Sequence, residues 1–434
     1  MATAGEPLSF DDAQILALES DAIKGHTGKL LVLESGADGD RAAPERVRER
    51  VIDRLPSLPL LRRRVEAPRR GRPVWVDDAP DPAWHVFAHE PAEPLDDERF
   101  RAFAGEVLAE RLDRSRPLWR LDAVPLAAGR LALVARIHHA LADGVTAIRT
   151  LAGLLWDEPE AGASERHHEH HERGPAKTAA PAPEAERRER PLLVRLPRAL
   201  RRELRPGADT PLDRHIGSER EVAWTALPLA RVKAIGHAGG GTVNDAVLAV
   251  VAGALRGWLG EHGSAPVDVR AQIPVSLHLR DGDATVGNRD SFLNVDLPLH
   301  EPDPAERLRS IVAETRERKF DHDAEALYAF FHALGRFRPL YRGVTRLISG
   351  PREFALSVSN VPGPRERPEI CGHELREFCS FAEPADRHAL RIAVLSLGGE
   401  LAFGLCSDPA AIEGLDQLAE RLELAAAELE EAVA

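Results

Sequence analysis

Between Leu131 and Ile148 the chain reads Leu-Ala-Leu-Val-Ala-Arg-Ile-His-His-Ala-Leu-Ala-Asp-Gly-Val-Thr-Ala-Ile. Two adjacent imidazoles, His138 and His139, stand just ahead of Asp143 and Gly144. Imidazole is the side chain whose unperturbed pKa lies near neutrality, so it accepts a proton from a hydroxyl without help from its surroundings. A histidine pair of this kind also occurs as surface or as satisfied core. The Asp-Gly that follows sets this pair apart.

The elements that must position these residues are legible on either side. A β-prone run, Leu131 to Ile137, delivers both histidines at a strand end. An apolar helical pattern then runs through Ile148, Leu151 and Leu155. Asp143 is placed as its N-cap, with the carboxylate accepting from the first free amides. Gly144 lets backbone approach closely.

With 434 residues the chain is long enough for more than one core. Hydrophobic residues at 43% and charged residues at 29% are the balance of a folded globular protein rather than a disordered one. The net charge of -13 argues against a general nucleic-acid binder. Three cysteines, Cys371, Cys379 and Cys406, are odd in number and lack ligand spacing, which predicts a reduced, cytoplasmic protein. Met1 to Asp11 lacks a basic stretch followed by an apolar one, so no secretory signal is expected. The most apolar segment, Ala246 to Leu255, is too short to span a bilayer and is followed by Arg256.

Along the chain, Pro44 to Leu55 reads as a helix with Val47, Val51, Ile52 and Leu55 on one face. Arg62, Arg63, Arg64, Arg69, Arg70 and Arg72 follow, either a solvated edge or a set of phosphate partners. In Leu112-Asp-Arg-Ser-Arg-Pro-Leu-Trp119, Pro117, Leu118 and Trp119 read as a rigid turn leading to a core aromatic. From Asp157 to about Thr210 periodic apolar residues give way to Pro, Ala, Glu, Arg and a tract from His167 to His171, which predicts a linker without a specific metal site. Within it, Arg187 to Arg205 carries eight arginines against two glutamates, net +6, interleaved with leucines. A basic amphipathic segment of that kind suits an anionic membrane surface, although Pro191 and Pro197 limit any helix.

Thr242 and Asp245 form a Thr-x-x-Asp capping box that opens an apolar helix from Ala246 to Leu259. Asn244 and Asp245 are therefore either cap residues or contacts to substrate. Ser357-Val-Ser-Asn-Val-Pro-Gly-Pro364 reads as a buried strand ending in a Pro-Gly turn, or as a set of hydroxyl and amide donors for a developing oxyanion. Leu390 to Phe403 is expected to form a strand pair, with a helix from Ala410 to the end.

The pattern His-His-x-x-x-Asp-Gly resembles the signature of the CoA-dependent acyltransferase and condensation-domain superfamily. The order of Trp75, His85-Val86, the Pro117-Leu118-Trp119 block and the histidine motif is similar to the bacterial wax ester synthase/diacylglycerol acyltransferase family. Asn244-Asp245, Pro274-Val275-Ser276, Gly287-Asn288 and Asn360-Val361-Pro362-Gly363-Pro364 also match that family's motifs. Where the family usually carries an arginine soon after Pro-Val-Ser, this chain has His278 and then Arg280. Arg270 and Arg280 are both candidate partners for Asp143.

The resemblance implies an α/β fold of two chloramphenicol-acetyltransferase-like domains with a tunnel at their interface. The implied divisions are 1–156, a linker over 157–210, and 211–434. The implied activity is transfer of a long acyl group from acyl-CoA to diacylglycerol or a fatty alcohol, without a cofactor or metal. His139 would be the general base, with His138, Asp143 and Gly144 shaping its loop. Asn244, Asp245, Asn288, Ser359 and Asn360 would meet substrate, and the arginine run would serve CoA phosphates. Contact with a membrane or lipid-body surface would be peripheral. The alternatives are a condensation-type enzyme with a carrier-protein donor or another acceptor, and a catalytically idle lipid-binding homologue.

Overall fold

The strands His26–Leu33 and Leu131–His138 are buried at every position and covered on both faces, with His26, Thr27, Lys29, Arg136 and His138 as polar residues among apolar ones. They form the centre of the first of two six-stranded sheets. A computed structural model of the chain describes residues 5–35, 42–67, 72–158, 197, 200–202, 210–276, 290–321 and 354–434. In order, its first part contains β1 (Glu6–Pro7), α1 (Phe10–Leu18), β2 (His26–Leu33), α2 (Pro44–Arg54), β3 (Arg63–Glu66), β4 (Val74–Asp77), α3 (Pro82–His85), β5 (Val86–Ala88), α4 (Asp97–Ala109), β6 (Trp119–Pro125), β7 (Leu131–His138) and α5 (Gly144–Leu155). The second contains β8 (Glu221–Pro228), α6 (Leu229–Ala238), α7 (Val243–Glu261), β9 (Val269–Ser276), β10 (Asp290–Leu297), α8 (Pro304–Asp321), β11 (Leu356–Val361), β12 (Glu369–Ile370), β13 (His373–Phe381), β14 (Leu390–Leu397), β15 (Glu400–Ser407) and α9 (Leu415–Val433).

The first sheet has the order β12-β13-β2-β7-β6-β5, and the second β10-β9-β11-β14-β15-β8. β13 is antiparallel to β2, with Ser380 opposite Lys29 and Phe381 opposite Gly28. Residues 369–381, which follow the 157–210 segment in sequence, thus complete the sheet that carries the histidine motif. The division of the sheets does not coincide with a cut at 157–210. β13 also passes over the second sheet: a side chain at Gly404 of β15 would collide with the Ser380 carbonyl oxygen, so only glycine lets the two backbones meet there.

Three clusters account for the core. One joins α2 and α5 to one face of the first sheet, through Val47, Val51, Leu151 and Leu155, and takes in Leu395 and Leu397 of β14. A second fills the other face around Phe100, Leu108 and Phe381. The third packs α7 and α9 on the second sheet. α7 is 19 residues long and apolar enough by composition to cross a membrane, longer than its most apolar stretch suggests. Its apolar surface is the inside of this third core, as expected for a helix hydrophobic all round.

Smaller differences from expectation have local causes. Val47, Val51 and Leu55 are buried, whereas Ile52 is 51% exposed and points away from the core. The last helix starts at Leu415 rather than Ala410, after Gly414 takes a left-handed φ of 73°.

Candidate active site

β7 brings the two histidines to the edge of the core between the sheets, and neighbouring backbone fixes them. The His138 N–H donates to the Leu118 carbonyl at 3.0 Å and the His139 N–H to the Gly25 carbonyl at 2.9 Å. The His138 carbonyl accepts from Leu141 and Ala142 at 2.9 and 3.1 Å, which turns the chain. Asp143 then caps α5, its Oδ1 accepting from Thr146 N at 2.7 Å. Trp119 is 1% exposed, stacks on His85 and donates its indole N–H to the Leu61 carbonyl at 2.8 Å. Within the Pro117-Leu118-Trp119 segment it is thus the Leu118 carbonyl that holds the start of the histidine loop.

Both ring nitrogens of His138 are committed. Nδ1 accepts from Ala140 N at 3.1 Å, which leaves the ring hydrogen on Nε2, facing Glu19 Oε1 at 2.9 Å. Arg114 ion-pairs with the same carboxylate oxygen at 2.8 Å. Burial raises the Glu19 pKa, but the hydrogen bonds from His138 and Arg114 outweigh it and hold this carboxyl below its usual value. Gly25 has a φ of 78°, and a Cβ there would lie 2.5 Å from His138 Nε2, so glycine is required on both counts. Its N–H donates to Glu383 Oε2 at 2.7 Å, and Lys24 N donates to Oε1 at 2.5 Å. Glu383, just past β13, therefore anchors the segment on which His139 rests.

His139 keeps partial exposure. Its pKa is pushed down to about 4, first by desolvation, then by the charges of Lys29, His138 and Arg391, with Asp143 opposing them. Lys29 lies in β2 and Arg391 in β14, so cations from both sheets act on this imidazole. The second sheet also reaches the loop directly: a Cβ on Gly144 would be 3.7 Å from Val361 of β11. On the same strand stand Ser359 and Asn360, both half-buried, beside Ala393 and Val394 of β14. Just beyond, Gly363 N donates to Ser396 Oγ at 2.9 Å and fixes the Pro-Gly turn. The arrangement is a half-buried imidazole, its protonation disfavoured by its surroundings, on a braced loop with polar strand residues of the second sheet alongside.

Residues 8–247 match the model of the wax ester synthase/diacylglycerol acyltransferase catalytic domain, and residues 286–430 match that of the WS/DGAT C-terminal domain. The chain belongs to the wax ester synthase/diacylglycerol acyltransferase family. It is 30% identical to a probable diacylglycerol O-acyltransferase of Mycobacterium tuberculosis, over 98% of each chain. A putative diacylglycerol O-acyltransferase of the same organism is 28% identical, over 96% of this chain and 90% of the relative. Among solved structures, a wax ester synthase/diacylglycerol acyltransferase from Marinobacter aquaeolei VT8 superposes with a TM-score of 0.70 at 23% identity, over 98% of this chain and 99% of that one. The first condensation domain of the CDA synthetase gives 0.59 at 15% identity, over 100% and 98%. The two-sheet α/β architecture is therefore that of the acyltransferases and condensation domains, and the chain is an acyltransferase.

Other expected residues of this family site fall differently. Asp245 is 2% exposed: its Oδ2 accepts from Thr242 N and Oγ1 at 2.7 Å, and its Oδ1 from Thr315 Oγ1 at 2.6 Å. That is the capping box, with α7 packed against α6, α8 and α9. Asn244 is half-buried in the first turn of the same helix. Arg270 pairs with Asp296 at 2.8 Å, across β9 and β10. Among the described residues Asp143 has no arginine ion pair; Asn288 and Arg280 lie outside them. Arg62, Arg63 and Arg64 pair with Asp77, Glu6 and Asp78, as a solvated edge does. Sequence reasoning missed Glu19, Lys29, Glu383 and Arg391. A lysine opening the apolar run Lys29 to Leu33 is the one signal among them that inspection of the sequence offers.

Proposed function

We propose that this acyltransferase moves a long acyl group from acyl-CoA to diacylglycerol or a fatty alcohol, with His139 as general base. The observation that carries the assignment is the state of its neighbour: His138 is 1% exposed and spends both ring nitrogens on Ala140 and Glu19. His139 is the histidine of the pair with surface open to a substrate. In the proposed step His139 takes the alcohol proton as the oxygen attacks the thioester carbonyl. The tetrahedral oxyanion then collapses, the C–S bond breaks, and the proton passes to the departing thiolate, without an acyl-enzyme. Ser359 and Asn360, on the strand beside the loop, are the proposed oxyanion or substrate donors. Asp143 and Gly144 shape the loop. The starter condensation domain of rhizomide synthetase, similar in fold with a TM-score of 0.60 at 14% identity, is described in complex with C8-CoA and Leu-SNAC. That supports acyl-CoA as the donor; the expected tunnel would run between the two sheets.

Thiol release by the purified protein with acyl-CoA and a panel of alcohols and diacylglycerol tests the reading. His139→Ala is expected to lose roughly a hundredfold or more in turnover while still binding acyl-CoA. Near-native turnover would remove His139 as base, and release with a carrier-protein thioester alone would replace the donor. The basic segment Arg187 to Arg205, almost all of it outside the described residues, is the proposed contact to lipid surfaces where such acceptors reside. Flotation with anionic vesicles that survives replacement of all eight arginines by glutamine would sink that part.

A further inference from the structure

Lys29 is 1% exposed in a wholly buried strand, between the polar His26 and Thr27 and the apolar run Leu30 to Leu33. Its Nζ donates to Thr27 Oγ1 and to Ser380 Oγ, each at 2.8 Å, and at 3.5 Å to the Gly28 carbonyl, and among the described residues it has no ion pair. Burying an ammonium against neutral acceptors alone is unfavourable. The fold alone therefore gives no reason for a lysine here. Its position does. β2 and β7 are antiparallel, with Lys29 opposite Ala135 and Thr27 opposite Ile137, and the His139 N–H bonds to Gly25 one step further on. With a two-residue side-chain period, Lys29 and Thr27 share the sheet face on which His139 emerges.

We propose that Lys29 is a positioning residue of the acyl-transfer site, a buried cation on the sheet face of His139 whose charge adds to burial in keeping that imidazole unprotonated. The proposal rests on the assignment of His139 as base. The charged and titratable groups acting on His139 include Lys29 and His26 from β2, His138 from β7, Arg391 from β14 and Asp143 from the loop, and of these Asp143 favours the imidazolium. Around Lys29 stand the two hydroxyls, both able to accept from an ammonium, and the charge of Asp143. Burial pushes the Lys29 ammonium down to about 7, against about 4 for His139. Between those values Lys29 carries its charge and adds to burial in disfavouring the imidazolium as the solution turns mildly acid. Above neutrality Lys29 loses its charge and the effect fades.

The test uses the full chain with Lys29→Met, Lys29→Gln and Lys29→Arg, each checked for folding by circular dichroism. The His139 imidazole is titrated by NMR on histidine-labelled protein, its signal identified by its absence in His139→Gln. In Lys29→Met and Lys29→Gln the imidazole midpoint is expected to rise by roughly half a pH unit or more, and the acid limb of kcat/KM to rise with it. Lys29→Arg keeps the charge and is expected to stay near the original profile. A midpoint unchanged in both neutral variants overturns the inference and leaves the base assignment standing. A midpoint that rises while the acid limb stays fixed overturns the base assignment instead. A loss of rate at all pH values alike, with no movement of either midpoint, reduces Lys29 to a structural role.

Discussion

The proposed chemistry rests on one half-buried imidazole, His139, and on the groups that keep its neighbour occupied. Glu19 is central to the second task, because it accepts from the buried His138 Nε2 while Arg114 holds it in place. Glu19→Ala would leave a buried N–H without an acceptor, at a cost of about 1–3 kcal/mol. It would also loosen the loop, so turnover is expected to fall together with the urea midpoint. Glu19→Gln retains an acceptor and should lose less of both; equal losses in the two variants would mean that charge rather than hydrogen bonding matters there. The pH sign follows from the direction of the shift. The folded-state carboxyl titrates below its usual value, so its contribution is present above pH 4.5 and is lost as pH falls through the folded pKa. In Glu19→Gln that acid-side loss should be smaller. His139 and Asp143 were legible in the sequence because they lie in one motif. Glu19 was not, because 119 residues separate it from His138 and no local pattern marks the pair.

At the scale of elements, local rules placed the caps and the strand ends that the site depends on. Asp143 does cap α5, and Thr242 and Asp245 do close a reciprocal box on α7. Both follow from side-chain oxygens within a few residues of free amides, which is why spacing alone revealed them. What spacing could not show is the use of backbone by the Pro117-Leu118-Trp119 segment. Its Leu118 carbonyl, rather than any side chain of the motif, receives the His138 amide. For Asp143 the structure supplies a cap but, among the described residues, no arginine partner. Asp143→Ala is therefore expected to cost about 1 kcal/mol, the worth of a cap, and not the larger loss of a broken buried ion pair. Asp143→Asn keeps the acceptor and should cost less. Thermal midpoints of the two variants decide it: a loss several times larger in both would point to an ionic partner, and native stability without activity would move Asp143 into the chemistry.

At the scale of the whole molecule, two sheets are tied together by a strand that changes sides. β13 lies against β2 over Leu375 to Phe381, and Glu383 just after it binds the Lys24 and Gly25 amides. These contacts join residues some 350 apart in sequence, with Glu383 and Lys24 separated by 359. Periodicity carries no information over such a span, so a division at 157–210 was the natural reading of composition while the exchange of strands was invisible. The two observations make a joint prediction. Residues 157–210 lack periodic apolar side chains, so limited proteolysis is expected to cut there first. The nicked fragments should nevertheless co-elute in size-exclusion chromatography and retain thiol release, because β13 from the later fragment stays hydrogen-bonded along β2 in the earlier one. A fragment ending near residue 158 and expressed alone would present the edge of β2, an unpaired row of backbone groups, and is expected to aggregate. Should the nicked halves instead separate without denaturant, or the lone N-terminal fragment be monomeric and folded, the strand exchange would not be what holds the histidine motif in its site.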